Sequence, residues 1–148
     1  MIGLIQRVAS AEVRVEGALV GAISRGVLAF IAVRREDTPA AAERLLERLL
    51  DYRIFPDAGG RMNVSLREVR GGLLLVPQFT LAADTSKGTR AGFSSAADPE
   101  QARRLFDYLL ERARSSYPHV SAGVFGAHMQ VSLINDGPVT FWLEAVAR

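Results

Sequence analysis

Two hydrophobic periods take turns along the chain, and their boundaries predict its elements. In residues 11–15, Ala11, Val13 and Val15 face one way and Glu12 and Arg14 the other, the period-two pattern of a half-buried strand. Gly17 marks a turn into a short return strand over residues 19–23. Residues 26–33 are a near-continuous apolar run, the pattern of a strand covered on both faces. The period then lengthens. Leu45, Leu46, Leu49 and Leu50 form one stripe opposed by Glu43, Arg44, Glu47 and Arg48, which predicts an amphipathic helix. Thr38 is placed as its N-cap and Pro39 as its first residue, where a missing N–H costs nothing. Residues 52–55 then lead to Pro56 and a turn at Asp57-Ala58-Gly59-Gly60.

A second strand–helix pair follows. Residues 73–81 read as a buried strand after the Gly71-Gly72 turn, and a loop over residues 83–97 leads to Asp98 and Pro99, another cap followed by a first-position proline. Gln101 completes a capping-box-like spacing, and Leu105, Phe106, Leu109 and Leu110 repeat the apolar stripe. The tail reads as three strands, residues 120–125, 129–134 and 139–146, separated by Gly126 and by Asn135-Asp136-Gly137-Pro138. No linker or low-complexity stretch divides the chain. The expected fold is therefore α/β, one compact domain over residues 1–148. Its order is two strands, two strand–helix units and three closing strands, a mostly β core covered by two helices.

Composition narrows the function classes. With 148 residues, 49% hydrophobic and 23% charged, the chain has the balance of a globular domain large enough to build its own core. The absence of cysteine excludes a disulfide scaffold, a cysteine zinc site, an iron–sulfur cluster and a thiol nucleophile. Gln6 and Arg7 cut the apolar start far short of a signal core. The longest stretch without Asp, Glu, Lys or Arg, residues 115–135, contains Pro118, His119, His128 and Gln130 and is not a spanning helix. A soluble, cytoplasmic protein with no membrane partner is expected. Net charge is +2, and Lys87 is the only lysine among 18 basic residues; this permits an acidic partner such as RNA without demanding one.

Standard catalytic constellations are mostly missing. There is no Gly-x-Ser-x-Gly elbow, and Ser86-Lys87-Gly88-Thr89 lacks the glycine spacing of a phosphate loop. No Gly-x-Gly-x-x-Gly follows a strand, so a dinucleotide site is not expected. His119 and His128 do not have zinc spacing, and no acidic residue lies between them. Neither a metal nor a cofactor is expected.

Two segments are chemically odd for their context. Val76-Pro77-Gln78-Phe79-Thr80-Leu81 inserts Pro, Gln and Thr into a buried strand pattern, and Asn135-Asp136-Gly137-Pro138-Val139-Thr140 sets Gly-Pro between two strands. Together they resemble the signature motifs of the D-aminoacyl-tRNA deacylase family, also called D-tyrosyl-tRNA deacylases. That family carries Ser-Gln-Phe-Thr and Gly-Pro-Val-Thr, which stand here as Pro77-Gln78-Phe79-Thr80 and Gly137-Pro138-Val139-Thr140. The resemblance spans the chain through Gln6-Arg7-Val8, Arg53-Ile54-Phe55, Asp84-Thr85-Ser86-Lys87-Gly88 and residues 123–129.

The resemblance implies a barrel-like β core and an editing hydrolase. Such an enzyme cleaves the ester of a D-amino acid on the terminal adenosine of tRNA, leaves L-aminoacyl-tRNA alone and also acts on mischarged glycine. It further implies a homodimer in which a cis Gly137-Pro138 enters the partner's pocket as chirality filter, with Arg7 holding that loop. Phe79, Phe125, Ala127 and Met129 would line the pocket. Two catalytic schemes follow from the motif Gln78-Phe79-Thr80. In one, Thr80 is the nucleophile, although its motif holds no activating base. In the other, backbone N–H groups near Gln78, Phe79 and Thr80 hold the oxyanion while water attacks. Lys87 and Arg90 are candidates for phosphate contacts at the acceptor end. The chain departs from the family at Pro77, which replaces a serine, and at Ala91-Gly92, which replaces Pro-Ser. Pro77 is the feature that leans towards an alternative, a non-catalytic tRNA-binding module of the same fold. A general small-ester hydrolase is a third reading, and the missing triad opposes it.

Overall fold

The computed structural model describes residues 1–146, so the last two residues of the expected domain lie outside the described residues. Strand β1 (Ile2–Val15) is the spine of the sheet. On one edge it pairs antiparallel with β2 (Ala18–Ile23) and with β3 (Gly26–Ala32); on the other it pairs along its length with the final strand, Gln130–Glu144. Helix α1 (Pro39–Asp51) leaves β3 and is followed by a small hairpin of β4 (Arg53–Pro56) and β5 (Met62–Ser65) and by the one-turn helix α2 (Leu66–Val69). Next come β6 (Gly72–Pro77), a 3₁₀ turn (Phe79–Ala82), α3 (Pro99–Ser116), β7 (Val120–Ala122) and the final strand, β8.

The two strand–helix units are crossovers. β3 runs parallel to β6, and β6 parallel to β7, an arrangement that needs a long connection between neighbours; α1 and α3 are parts of those connections. Successive residues of β6 point to opposite faces, and both faces are covered. Leu73 and Leu75 pack under the helices with Leu45, Leu49, Phe106 and Leu109. Leu74 and Val76 pack inside the sheet with Val8, Val13 and Leu28. This two-sided burial is why β3 and β6 read as unbroken apolar runs. The sheet curls until β2 approaches β7: the Ser121 hydroxyl donates to the Ala22 carbonyl at 3.1 Å, and a Cβ on Gly21 would stand 2.6 Å from the Ala122 carbonyl oxygen. The barrel is thereby nearly closed. Tyr117, just past α3, donates its hydroxyl to the carbonyls of Gly71 (2.5 Å) and Leu66 (3.3 Å), and burial raises its pKa.

Several expected boundaries move. The strand expected at residues 11–15 is the end of the much longer β1. The strand expected over residues 73–81 stops at Pro77, and the chain turns into the 3₁₀ segment. The strand expected over residues 120–125 stops at Ala122. The two strands expected at 129–134 and 139–146 are one, β8, because Asn135-Asp136-Gly137-Pro138 does not reverse the chain. The side chain of Asn135 donates to the carbonyls of Arg7 (3.0 Å) and Val139 (2.9 Å), holding the segment as an irregularity in the β1–β8 ladder. The hairpin β4–β5 and α2 are elements the pattern did not predict. Thr38 occupies the N-cap of α1, but its side chain makes no cap hydrogen bond.

Candidate active site

Pro77 ends β6 at little cost. Leu73 directs its N–H across to β7, donating to the His119 carbonyl at 2.8 Å, and Pro77 is in phase with it. β7 has ended by then, so the absent N–H of Pro77 forfeits no bond within the ladder. The N–H of Gln78 donates the other way, to the Ile31 carbonyl at 2.7 Å. That N–H is engaged, which removes Gln78 from the set of free amides. The 3₁₀ turn then closes through Leu81 N–H to the Gln78 carbonyl (3.3 Å) and Ala83 N–H to the Thr80 carbonyl (3.2 Å). As the first residues of that turn, Phe79 and Thr80 have N–H groups with no backbone acceptor among the described residues.

Beside this turn lies a cleft of about 440 Å³. Val76, Pro77, Gln78 and Phe79 form one wall, Pro99 and Ala102 of the first turn of α3 a second, and residues 125–129 with Val131 a third. The structure therefore brings together Gln78, Phe79, Phe125, Ala127 and Met129. Met129 reaches its place because residue 123 has no side chain: a Cβ there would stand 2.7 Å from the Met129 sulfur. The sulfur accepts from the Val124 N–H at 3.4 Å. Phe125 packs against Phe106, and the Phe79 ring, 60% exposed, stands 5.3 Å from Phe93 at the mouth.

Thr80 stands beside the cleft rather than in its lining. Its hydroxyl oxygen accepts a hydrogen bond from the side-chain amide of Gln78. Asp84 is the nearest carboxylate in the motif, but its carboxyl is engaged by Ser86, whose hydroxyl and N–H hold its pKa below the ordinary value. Lys87 and Arg90 lie on an exposed loop closed by reciprocal hydrogen bonds between Asp84 and Gly92 (2.7 and 2.9 Å), and neither lines the cleft. His128, Pro99 and Ala102 line it without having been singled out as site residues. The proline and alanine had a readable signal, since they share a face of α3 at a spacing of three.

Arg7, Gly137 and Pro138 form a separate constellation. The Gly137–Pro138 peptide bond is cis, and Gly137 has φ +151°, where a Cβ would meet Val139 at 2.6 Å. Arg7 is largely buried; it donates to the Asp136 carbonyl (2.9 Å) and the Ile54 carbonyl (2.7 Å). Gly137 and Pro138 are exposed and absent from the cleft lining. Gly137 is six residues beyond Val131, about 20 Å along a strand. Among the described residues no group of three or more His, Asp or Glu side chains is placed to hold a metal ion, and no helix is long and apolar enough to cross a membrane.

The sequence profile of the family described as D-Tyr-tRNA(Tyr) deacylase matches residues 4–144. The chain belongs to this family. The D-aminoacyl-tRNA deacylase of Thioalkalivibrio sulfidiphilus is 63% identical over 144 residues, covering 97% of both chains. That of Pseudomonas syringae pv. tomato is 61% identical over 144 residues, covering 97% of this chain and 99% of its own. These deacylases are hydrolases. Among solved structures, the c-Myc DNA Unwinding Element Binding Protein superposes with a TM-score of 0.94 at 37% identity, covering 99% of this chain and all of that one. A probable eukaryotic D-amino acid tRNA deacylase superposes at 0.79 with 20% identity, a likeness of fold. The matched residues 4–144 include both odd motifs, which stand at separate places on the molecule.

Proposed function

We propose that this protein hydrolyses the ester between a D-amino acid and the terminal adenosine of tRNA, and that it spares the L ester. The observation that carries the reading is an apolar cleft beside a turn with two amide N–H groups unengaged among the described residues, those of Phe79 and Thr80, and with no carboxylate, amine or hydroxyl in its lining, where His128 is the one ionisable side chain. Such donors suit a carbonyl oxygen that becomes an oxyanion. Water, oriented by the vicinal ribose hydroxyl of the substrate, attacks the ester carbon. The tetrahedral intermediate collapses, the ribose oxygen leaves and takes a proton, and free amino acid and tRNA result. Gln78 positions this turn through its bond to the Thr80 hydroxyl. Lys87 and Arg90 supply charge for acceptor-end phosphates.

Selection by hand comes from Gly137 and Pro138 of a second copy, since they stand too far along β8 to reach their own cleft. The filter grips what all aminoacyl groups share, the α-ammonium and α-carbon, so one hand fits and the other drives its side chain into main chain. Glycine has no side chain to exclude and passes. Arg7 keeps the loop in register through Asp136. The functional unit is a homodimer, and its place is the cytoplasm, where tRNA is charged and used.

Single-turnover hydrolysis of matched D-tyrosyl-tRNA and L-tyrosyl-tRNA tests this reading. The D ester is expected to disappear while the L ester survives. Equal cleavage of both would sink the filter. Binding of tRNA with both esters intact would instead identify a non-catalytic module.

A further inference from the structure

Arg103 is a guanidinium beside the cleft, just outside its lining, with which no carboxylate among the described residues is paired. It lies on α3, one residue past Ala102 and four past Pro99, both of which line the cleft. Its guanidinium carbon sits 4.9 Å from the centroid of the Phe125 ring, and Phe125 lines the cleft too. On the neighbouring residue, a Cβ at Gly126 would stand 3.5 Å from an Arg103 terminal nitrogen, so the guanidinium also borders Gly126 of the cleft lining. Glu100 and Asp107 are three and four residues away on the same helix, the spacing of helical ion pairs. Yet among the described residues no carboxylate is paired with Arg103, although Arg34, Arg67 and Arg112 each have one. The side chain sets its charge over the face of an aromatic ring of the site, which fixes its direction, and its N–H groups have no acceptor among the described residues.

We infer that Arg103 forms a phosphate-binding position on the outer wall of the cleft, taking one backbone phosphate of the single-stranded acceptor end while the aminoacyl group is inside. This rests on the reading of the cleft as a site for aminoacyl-tRNA. A planar guanidinium offers forked donors to phosphate oxygens, and stacking on Phe125 organises it before the substrate arrives. The contact involves atoms remote from the ester, so it acts on binding and not on the chemical step.

Salt dependence separates this role from mere packing against Phe125. Each phosphate neutralised on a single strand contributes about 0.7 to the slope of log affinity against log salt. Arg103→Gln should therefore flatten that slope by about 0.7. Its half-saturating concentration for single-turnover cleavage of D-tyrosyl-tRNA should rise about five-fold near 0.1 M salt, with the saturated rate unchanged. Arg103→Lys should keep the slope. A loss of affinity with the slope unmoved would assign Arg103 to packing and overturn the inference, as would an unchanged affinity in Arg103→Gln. A wild-type protein that leaves the D ester intact would overturn the functional reading and this inference with it. A wild type that cleaves, with the Arg103→Gln slope equal to its own, removes the Arg103 assignment alone.

Discussion

At Thr80 one hydrogen bond favours one of two proposed chemistries. A nucleophilic hydroxyl needs a group that accepts its proton, whereas the Gln78 amide donates to the Thr80 oxygen. Asp84, the nearest carboxylate along the motif, is already engaged by Ser86. Thr80→Ala is accordingly expected to keep hydrolysis of D-tyrosyl-tRNA within about ten-fold of the wild type, whereas loss of a true covalent nucleophile removes about 10⁶-fold. A rate in the second range, in a protein that still melts cooperatively, would restore the threonine scheme. Residue types alone do not show this hydrogen bond. The sequence places Gln78 and Thr80 two apart, and only the turn after Pro77 swings one side chain onto the other. The strand spacing expected from the sequence would also have put Asp84 some 13 Å away, and the 3₁₀ turn shortens that path without making Asp84 a base.

Among the elements, the two long helices were legible because their signals are local. The proline at the first turn and the leucine stripes put α1 and α3 where they are, and burial of Leu45, Leu49, Leu105 and Leu109 follows the stripes. The caps nonetheless differ. Asp98 accepts from the Gln101 N–H at 3.0 Å, whereas Thr38 accepts nothing from its helix. Asp98→Ala should cost about 1 kcal/mol in urea unfolding, and Thr38→Ala close to nothing, with both m-values unchanged. Equal losses would contradict the cap geometry. What failed to be legible depends on distant partners. Asn-Asp-Gly-Pro has the composition of a turn, yet the long reach of Asn135 to the Arg7 carbonyl keeps β8 in one piece. The cleft has the same property. Phe79, Phe125, Ala127 and Met129 were nominated through motifs, but Pro99 and Ala102 join them only because the β6–α3–β7 crossover brings the first turn of α3 back to the end of β6.

At the scale of the molecule, β8 presents a problem that a second copy would solve. It is 15 residues long and, among the described residues, pairs only with β1, so its outer edge is an open row of backbone donors and acceptors. Ile134 and Trp142 on this strand are 61% and 48% exposed. Proteins cover or blunt such edges. A two-fold association along β8 would cover it with the same strand of another copy and carry each Gly137-Pro138 segment to the other molecule. Ala127→Phe fills the cleft and leaves the loop intact; Gly137→Ala strains the loop and leaves the cleft intact. In the proposed homodimer, each variant on its own should be inactive towards D-tyrosyl-tRNA. Co-expressed and purified through different tags, the mixed dimer joins an unaltered cleft from one chain with an unaltered loop from the other at one of its two sites. It should recover about half the wild-type rate. If the loop instead served the cleft of its own chain, every site in the mixed dimer would carry a defect, and activity would stay at the level of the single variants.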